Sequence, residues 1–156
     1  MATPTGAYQL IRAAVATSTA ITLNQVWIPA GTAVEVVRAY ANQGSSTTSG
    51  GAEFDLVNQT SAATVTSQAA TAAGPNTVAS RCVNGTTSTG ITSTIAGTAG
   101  NKIDNAGVNV LNGYLYFPVP EARPILLGSA ARGVNLRTVT TLTSVNLISG
   151  IDWLEY

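Results

Sequence analysis

The chain has 156 residues, with seven basic side chains balanced by seven acidic ones and no histidine. Thr and Ser fill 35 positions, charged residues only 14. Such a composition offers β-compatible, hydrogen-bonding surface and little with which to run acid–base or metal chemistry, so neither a cofactor nor enzymatic activity is expected. The length fits one domain, 1–156, able to bury roughly two thirds of its extended surface around a single core. The lone Cys82 excludes an intrachain disulfide, and a thiolate there would lack a histidine partner. Arg12, Arg38, Arg81, Lys102, Arg123, Arg132 and Arg137 are scattered, which argues against wrapping a phosphate backbone. No apolar run approaches the ~20 residues of a membrane-spanning helix. Met1 to Gly6 do not read as a signal peptide, so synthesis in the cytoplasm is expected. Residues 1–7 are read as a flexible or contact-making arm.

In chain order, strands are predicted at Tyr8–Val15, Ile21–Ile28 (stopped by Pro29-Ala30-Gly31) and Val34–Ala41. Gly44 to Gly51 reads as a flexible connection. Ala52–Gln59 then alternates with a period of two. The stretch from Thr60 to Gly107 is the least patterned. Thr64–Ser67, Val78–Val83 and Ile91–Ile95 are expected as short strands, with turns at Gly74-Pro75-Asn76 and Asn84-Gly85. Ala62–Ala73 is rich in alanine, but its β-branched residues and lack of charged i,i+4 pairs argue against a helix. Asn112-Gly113 leads into Tyr114–Val119, which Pro118 and Pro120 interrupt. Ile125–Leu127, Gly133–Leu142 and Ser144–Tyr156 complete the pattern. About eight strands with long Ser/Thr/Gly-rich loops predict an all-β, two-sheet β-sandwich of jelly-roll or Greek-key type. An open small barrel is the alternative.

Chemistry-bearing groups are few. Glu53 and Asp55 share one strand face and could hold a hard cation or serve a glycoside as acid and base, but a solvated strand face is the simpler explanation and the one expected. Asp152 and Glu155 are three apart and point to opposite faces. Gly97–Gly100 and Gly128–Gly133 lack the Lys-Ser/Thr that grips a nucleotide, and read as turns. Most of Trp27, Tyr40, Phe54, Tyr114, Tyr116, Phe117, Trp153 and Tyr156 are expected in the core. Trp27, Tyr114, Tyr116 and Tyr156 are the candidates for a contact surface. Tyr114 and Tyr116 share a face opposite Leu115 and Phe117, and the sequence leaves open which pair turns inward. Lysine, the usual guard of sheet edges, occurs only as Lys102. Cover by a neighbouring subunit, hence a homo-oligomer, follows as an expectation.

Several stretches together resemble the small head-decoration, or capsid cement, proteins of tailed phages. They are AYQLIRAAVATSTAITLNQVWIPAGTAVEVVRAYANQ, AEFDLVNQTSAATVTS, NVLNGYLYFPVPEARPILLGSAARGVNLR and the ending ISGIDWLEY. The likeness covers most of the chain in outline and departs most over Ser67–Asn105. It implies a β-sandwich on the outer surface of a virion capsid that bridges neighbouring copies of the major capsid protein, commonly as trimers. The balanced, scattered charges and the lack of a long apolar run add the expectation of no nucleic-acid or membrane partner. The competing reading is a tail- or fibre-associated module that recognises a surface glycan or protein, with Trp27, Tyr114 or Tyr116 as a stacking platform. An exposed aromatic strip beside carboxylates would favour that module, whereas fully buried aromatics and polar exposed edges would favour the shell. An enzyme would need a cleft gathering Glu53, Asp55 or Glu121.

Overall fold

The computed structural model describes residues 3–17, 20–44, 49–74, 78–83, 90–93, 98–128, 132–142 and 145–156. The turn at Asn84-Gly85 lies outside these residues. The Gly44–Gly51 connection, the Gly74-Pro75-Asn76 turn and the glycine stretches at 97–100 and 128–133 lie partly outside them.

Twelve strands are present among the described residues: β1 Gly6–Thr17, β2 Thr22–Trp27, β3 Ala33–Gln43, β4 Gly51–Gln59, β5 Thr66–Ser67, β6 Thr71–Ala72, β7 Gly90–Ser93, β8 Ala99–Asn109, β9 Tyr114–Tyr116, β10 Ile125–Leu127, β11 Gly133–Thr138 and β12 Val145–Glu155. Short 3₁₀ turns occur at Arg81–Val83 and Pro120–Ala122, and no described residue is α-helical. One sheet runs β10-β3-β12-β1-β6, with β9 pairing further along β3; the other runs β5-β7-β2-β11-β4-β8. Every pairing is antiparallel. Without the short accessory strands, β1-β12-β3-β9 faces β2-β11-β4-β8. Chain order alternates between the sheets except at the β4–β8 step, which is the double Greek key of a jelly roll.

Alternation explains the layers. On β12, Val145, Leu147, Ser149, Ile151, Trp153 and Glu155 are buried, while Asn146, Ile148, Asp152 and Leu154 are half-exposed. Opposite them lie Leu23, Val26, Phe54, Leu56, Val134 and Leu136 of the second sheet, all fully buried in the same core. Gly113 has φ +71°, the left-handed backbone that turns the chain into β9, and a side chain there would run into Asn42.

The differences from the sequence reading have local causes. Ala99–Asn109 was not expected to be a strand. It is the outer edge of the second sheet, paired only with β4, and its sequence AGNKIDNAGVN carries no apolar alternation because much of it faces water. Val78–Val83 is not a strand, and it ends in a 3₁₀ turn. Thr64–Ser67 contributes only the two-residue β5, Tyr114–Val119 pairs only as far as Tyr116, and Gly133–Leu142 pairs only as far as Thr138. Of the expected arm, Gly6 and Ala7 already pair with Glu155 and Leu154, and the Thr5 N–H donates to the Glu155 carbonyl at 2.6 Å.

Two buried ionisable groups contrast sharply. The Glu155 carboxylate accepts hydrogen bonds from Trp153 Nε1 (3.0 Å), the Arg81 N–H (3.0 Å) and Ser80 Oγ, pinning the 80–82 segment to β12. Burial, with Glu155 alongside, pushes the Cys82 thiol far up, so it stays protonated. Arg12, by contrast, is fully buried with Nε and Nη1 unpaired, and burial lowers its pKa. Across the sheet it stands next to the small Ser149, itself followed by Ala41. Removing an acceptor of several buried donors is costly, whereas replacing a buried guanidinium that leaves two nitrogens unpaired with an apolar group of similar length is not. Glu155→Ala is therefore expected to lower unfolding stability by about 3 kcal/mol, seen as a lower urea midpoint at unchanged slope. Arg12→Met is expected to leave that midpoint unchanged or raise it; a loss comparable to that of Glu155→Ala would contradict this account.

Candidate interaction surface

The outward face of the first sheet is set by register. One row runs Leu115, Tyr40, Gly150, Ile11; the next Arg38, Asp152, Gln9; a third Ile125, Glu35, Leu154, Ala7. The first row is mainly apolar, the second polar, and the third apolar apart from Glu35. Toward the β9–β10 edge the apolar character strengthens. Leu115, Phe117, Val119, Ile125 and Leu127 are each 60–66 % exposed, which is unusual for so many large apolar side chains in one stretch.

The polar groups on this face neutralise one another. Arg38 pairs with Asp152 at 2.7 Å and lies 4.9 Å from the centroid of the Tyr40 ring. That ring covers Gly150, where a Cβ would meet it at 2.7 Å, so glycine is the residue that lets tyrosine lie across the sheet. Burial raises the Asp152 pKa, against the pull of Arg38. Arg123 Nη1 stands 3.2 Å from Glu35 Oε1, and the Tyr156 hydroxyl donates to Glu35 Oε2 at 2.5 Å. That bond to Glu35 raises the Tyr156 pKa. These residues, with Ala33, Pro120, Glu121 and Ile125, wall a groove of ≈ 700 Å³. A smaller hollow of ≈ 280 Å³ lies between Val37, Arg38, Asp152 and the exposed Leu115 and Phe117.

The four expected contact residues separate. Trp27 is buried at the end of β2, against Gly133. Tyr114 is buried too, with its ring stacked on Phe54 (centroids 5.5 Å apart) and its hydroxyl donating to Asp104 Oδ2 at 2.8 Å. Neither offers a stacking platform. Tyr116 is half-buried against the core, and Tyr156 lines the groove. The inward pair is therefore Tyr114 and Tyr116, and the outward pair is Leu115 and Phe117. The residues that sequence reasoning missed are Val119, Ile125 and Leu127. The available signal was their crowding around Pro118, Pro120, Pro124 and Glu121, a poor setting for core strands.

Glu53 and Asp55 do share a face, on the second sheet, but cations of the chain already occupy it. Lys102 Nζ lies 3.0 Å from Asp55 and 3.9 Å from Glu53; Arg137 Nη2 is 2.9 Å from Asp55; Asn105 Nδ2 donates to both carboxylates. Glu121 borders the groove of the first sheet, so these three carboxylates do not converge. Among the described residues no three His, Cys, Asp or Glu side chains gather into a group able to hold a metal, and no helix is long and apolar enough to cross a membrane.

The described residues define a jelly-roll sandwich with one apolar, internally neutralised face. No protein-family model, curated protein or solved structure matches the chain.

Burial acts to raise the Asp55 pKa, but hydrogen bonds from Arg137, Lys102 and Asn105 outweigh it and hold the carboxyl below its ordinary value. A folded-state pKa below the unfolded one contributes stability that is fully present above the unfolded pKa and lost as pH falls through the folded one. The loss should therefore fall below about pH 4. Asp55→Asn is expected to make the acid limb of stability against pH shallower than in the wild type, as followed by urea midpoints across that range. Parallel limbs would contradict the role given to Asp55.

Proposed function

We propose that the chain is a non-enzymatic structural protein of a virion, docking on the outer capsid surface and bridging neighbouring copies of the major capsid protein as a homo-oligomer, with a trimer favoured. The observation that carries this reading is the distribution of side chains. Trp27, Tyr114, Trp153, Tyr8 and Phe54 are buried, as the shell reading expects, whereas the exposed edge of the first sheet is apolar rather than polar and includes Phe117; the reading takes this apolar edge as the docking surface. A sandwich arranged in this way acts by contact, and many modest contacts repeated by symmetry give high avidity. Jelly rolls serve in viral capsids, lectins and cupins alike, so the fold by itself does not choose among them.

One observation favours the tail- or fibre-module reading. The groove between Pro120 and Tyr156 combines a tyrosine with Glu35, Glu121 and Arg123, the kind of polar wall a saccharide uses. Against it, Tyr156 is already tied to Glu35, and among the described residues Phe117, beside Asp152, is the one well-exposed aromatic, with no second ring to make a strip.

The test is co-sedimentation of the purified protein with undecorated, expanded heads of the source phage. The expected result is saturation at a copy number fixed by the icosahedral lattice. Absence of binding would sink the shell reading and bring glycan recognition forward.

A further inference from the structure

We infer that the β9–β10 edge is a contact between copies of this chain, with Phe117 and Val119 of one copy seated in the Pro120–Tyr156 groove of the next. This deepens the contact reading above and rests on it only in treating the apolar edge as functional.

Four observations point to a second copy as the occupant. The first is area. Leu115, Phe117, Val119, Ile125 and Leu127, each about two-thirds exposed, present on the order of 500 Å² of apolar surface. That is a large part of the ~800 Å² each partner buries in a stable interface. The second is charge. Arg38–Asp152 and Arg123–Glu35 are paired within the chain, which leaves Glu121 as the one unpaired charged side chain on the groove wall among the described residues. The face therefore carries little net charge with which to repel its own copy or to require an oppositely charged partner.

The third is the backbone. Pro118, Pro120 and Pro124 break the row of donors along this edge, so a partner cannot simply extend the sheet and must pack by side chains. The fourth is the adjacency of projection and recess. Phe117 and Val119 project immediately before Pro120, and Ala33, Pro120, Ile125 and Tyr156 give the groove its apolar wall. A projection and a groove lying side by side on one chain form a heterologous contact, which closes into a ring when the rotation permits.

The test measures mass by sedimentation velocity across a micromolar concentration series. The wild type is expected to be an oligomer. Phe117→Glu is expected to be a monomer with an unchanged circular dichroism spectrum. Val139→Glu, at an exposed apolar position of the second sheet's β11 end, is expected to keep the wild-type mass. Should Phe117→Glu prove insoluble, the milder Phe117→Ser is expected to weaken association at least tenfold. A wild type that stays monomeric, or an oligomer that neither Phe117 variant weakens, overturns the inference. Head binding separates the two proposals. A monomeric wild type whose binding to heads is abolished by Phe117→Glu would assign this edge to the coat and overturn the copy contact while leaving the shell reading intact. An oligomer that ignores heads but dissociates on Phe117→Glu would support the copy contact and remove the shell reading.

Discussion

The placement of β12 between β1 and β3 is the constraint on which the rest of the structure depends. The strand pairs with β1 from Gly6 to Thr17 and with β3 from Val34 to Gln43, so it is hydrogen-bonded along both sides for nearly its whole length. Its inward residues Leu147, Ile151 and Trp153 form much of the first sheet's contribution to the core. Its outward residues Gly150, Asp152 and Leu154 form the middle of the candidate interaction face. One strand therefore sets both the packing inside and the surface outside, and a register slip by one residue would exchange them.

That dual role shows in the polar residues it carries. Glu155 points inward yet is fully satisfied, and through Ser80 and Arg81 it draws a distant segment onto the sandwich end. Asp152 points outward and neutralises Arg38. The two carboxylates lie three residues apart on opposite faces, as strand geometry requires. Arg12, on the neighbouring strand, is the exception among the buried charges described. It lies across from small side chains, a place where a long aliphatic stem fills space whatever its tip does.

Much of this architecture was legible in the sequence because the central strands alternate. Ala52–Gln59, Val34–Ala41 and the last run could be assigned from period and β-branched content, and with them the two-sheet sandwich. The β8 edge could not. A strand that pairs on one side and faces water needs no apolar rhythm, and Asn101, Lys102, Asp104 and Asn105 look like loop residues. Accessory strands two residues long, such as β5 and β6, leave no periodic signal at all. The candidate surface was half legible. Alternation separated Tyr114 and Tyr116 from Leu115 and Phe117, but it could not say which side faced the core. That choice is made by Ala39 and Ala41 on β3, whose small side chains leave inward room for the two tyrosines opposite them.

The antiparallel pairing of Ala7 with Leu154 has a kinetic meaning as well. A sheet whose innermost ladder joins segments so far apart in sequence cannot be assembled by local hairpins. Loop closure across almost the whole chain must precede most of its hydrogen bonds, which places such topologies among slow folders. Until β12 docks, β1 and β3 are both open-edged, and the Leu115–Leu127 stretch adds apolar surface beside them. The interval before closure is when the chain is most exposed to aggregation, and high concentration during synthesis would lengthen the odds against correct pairing.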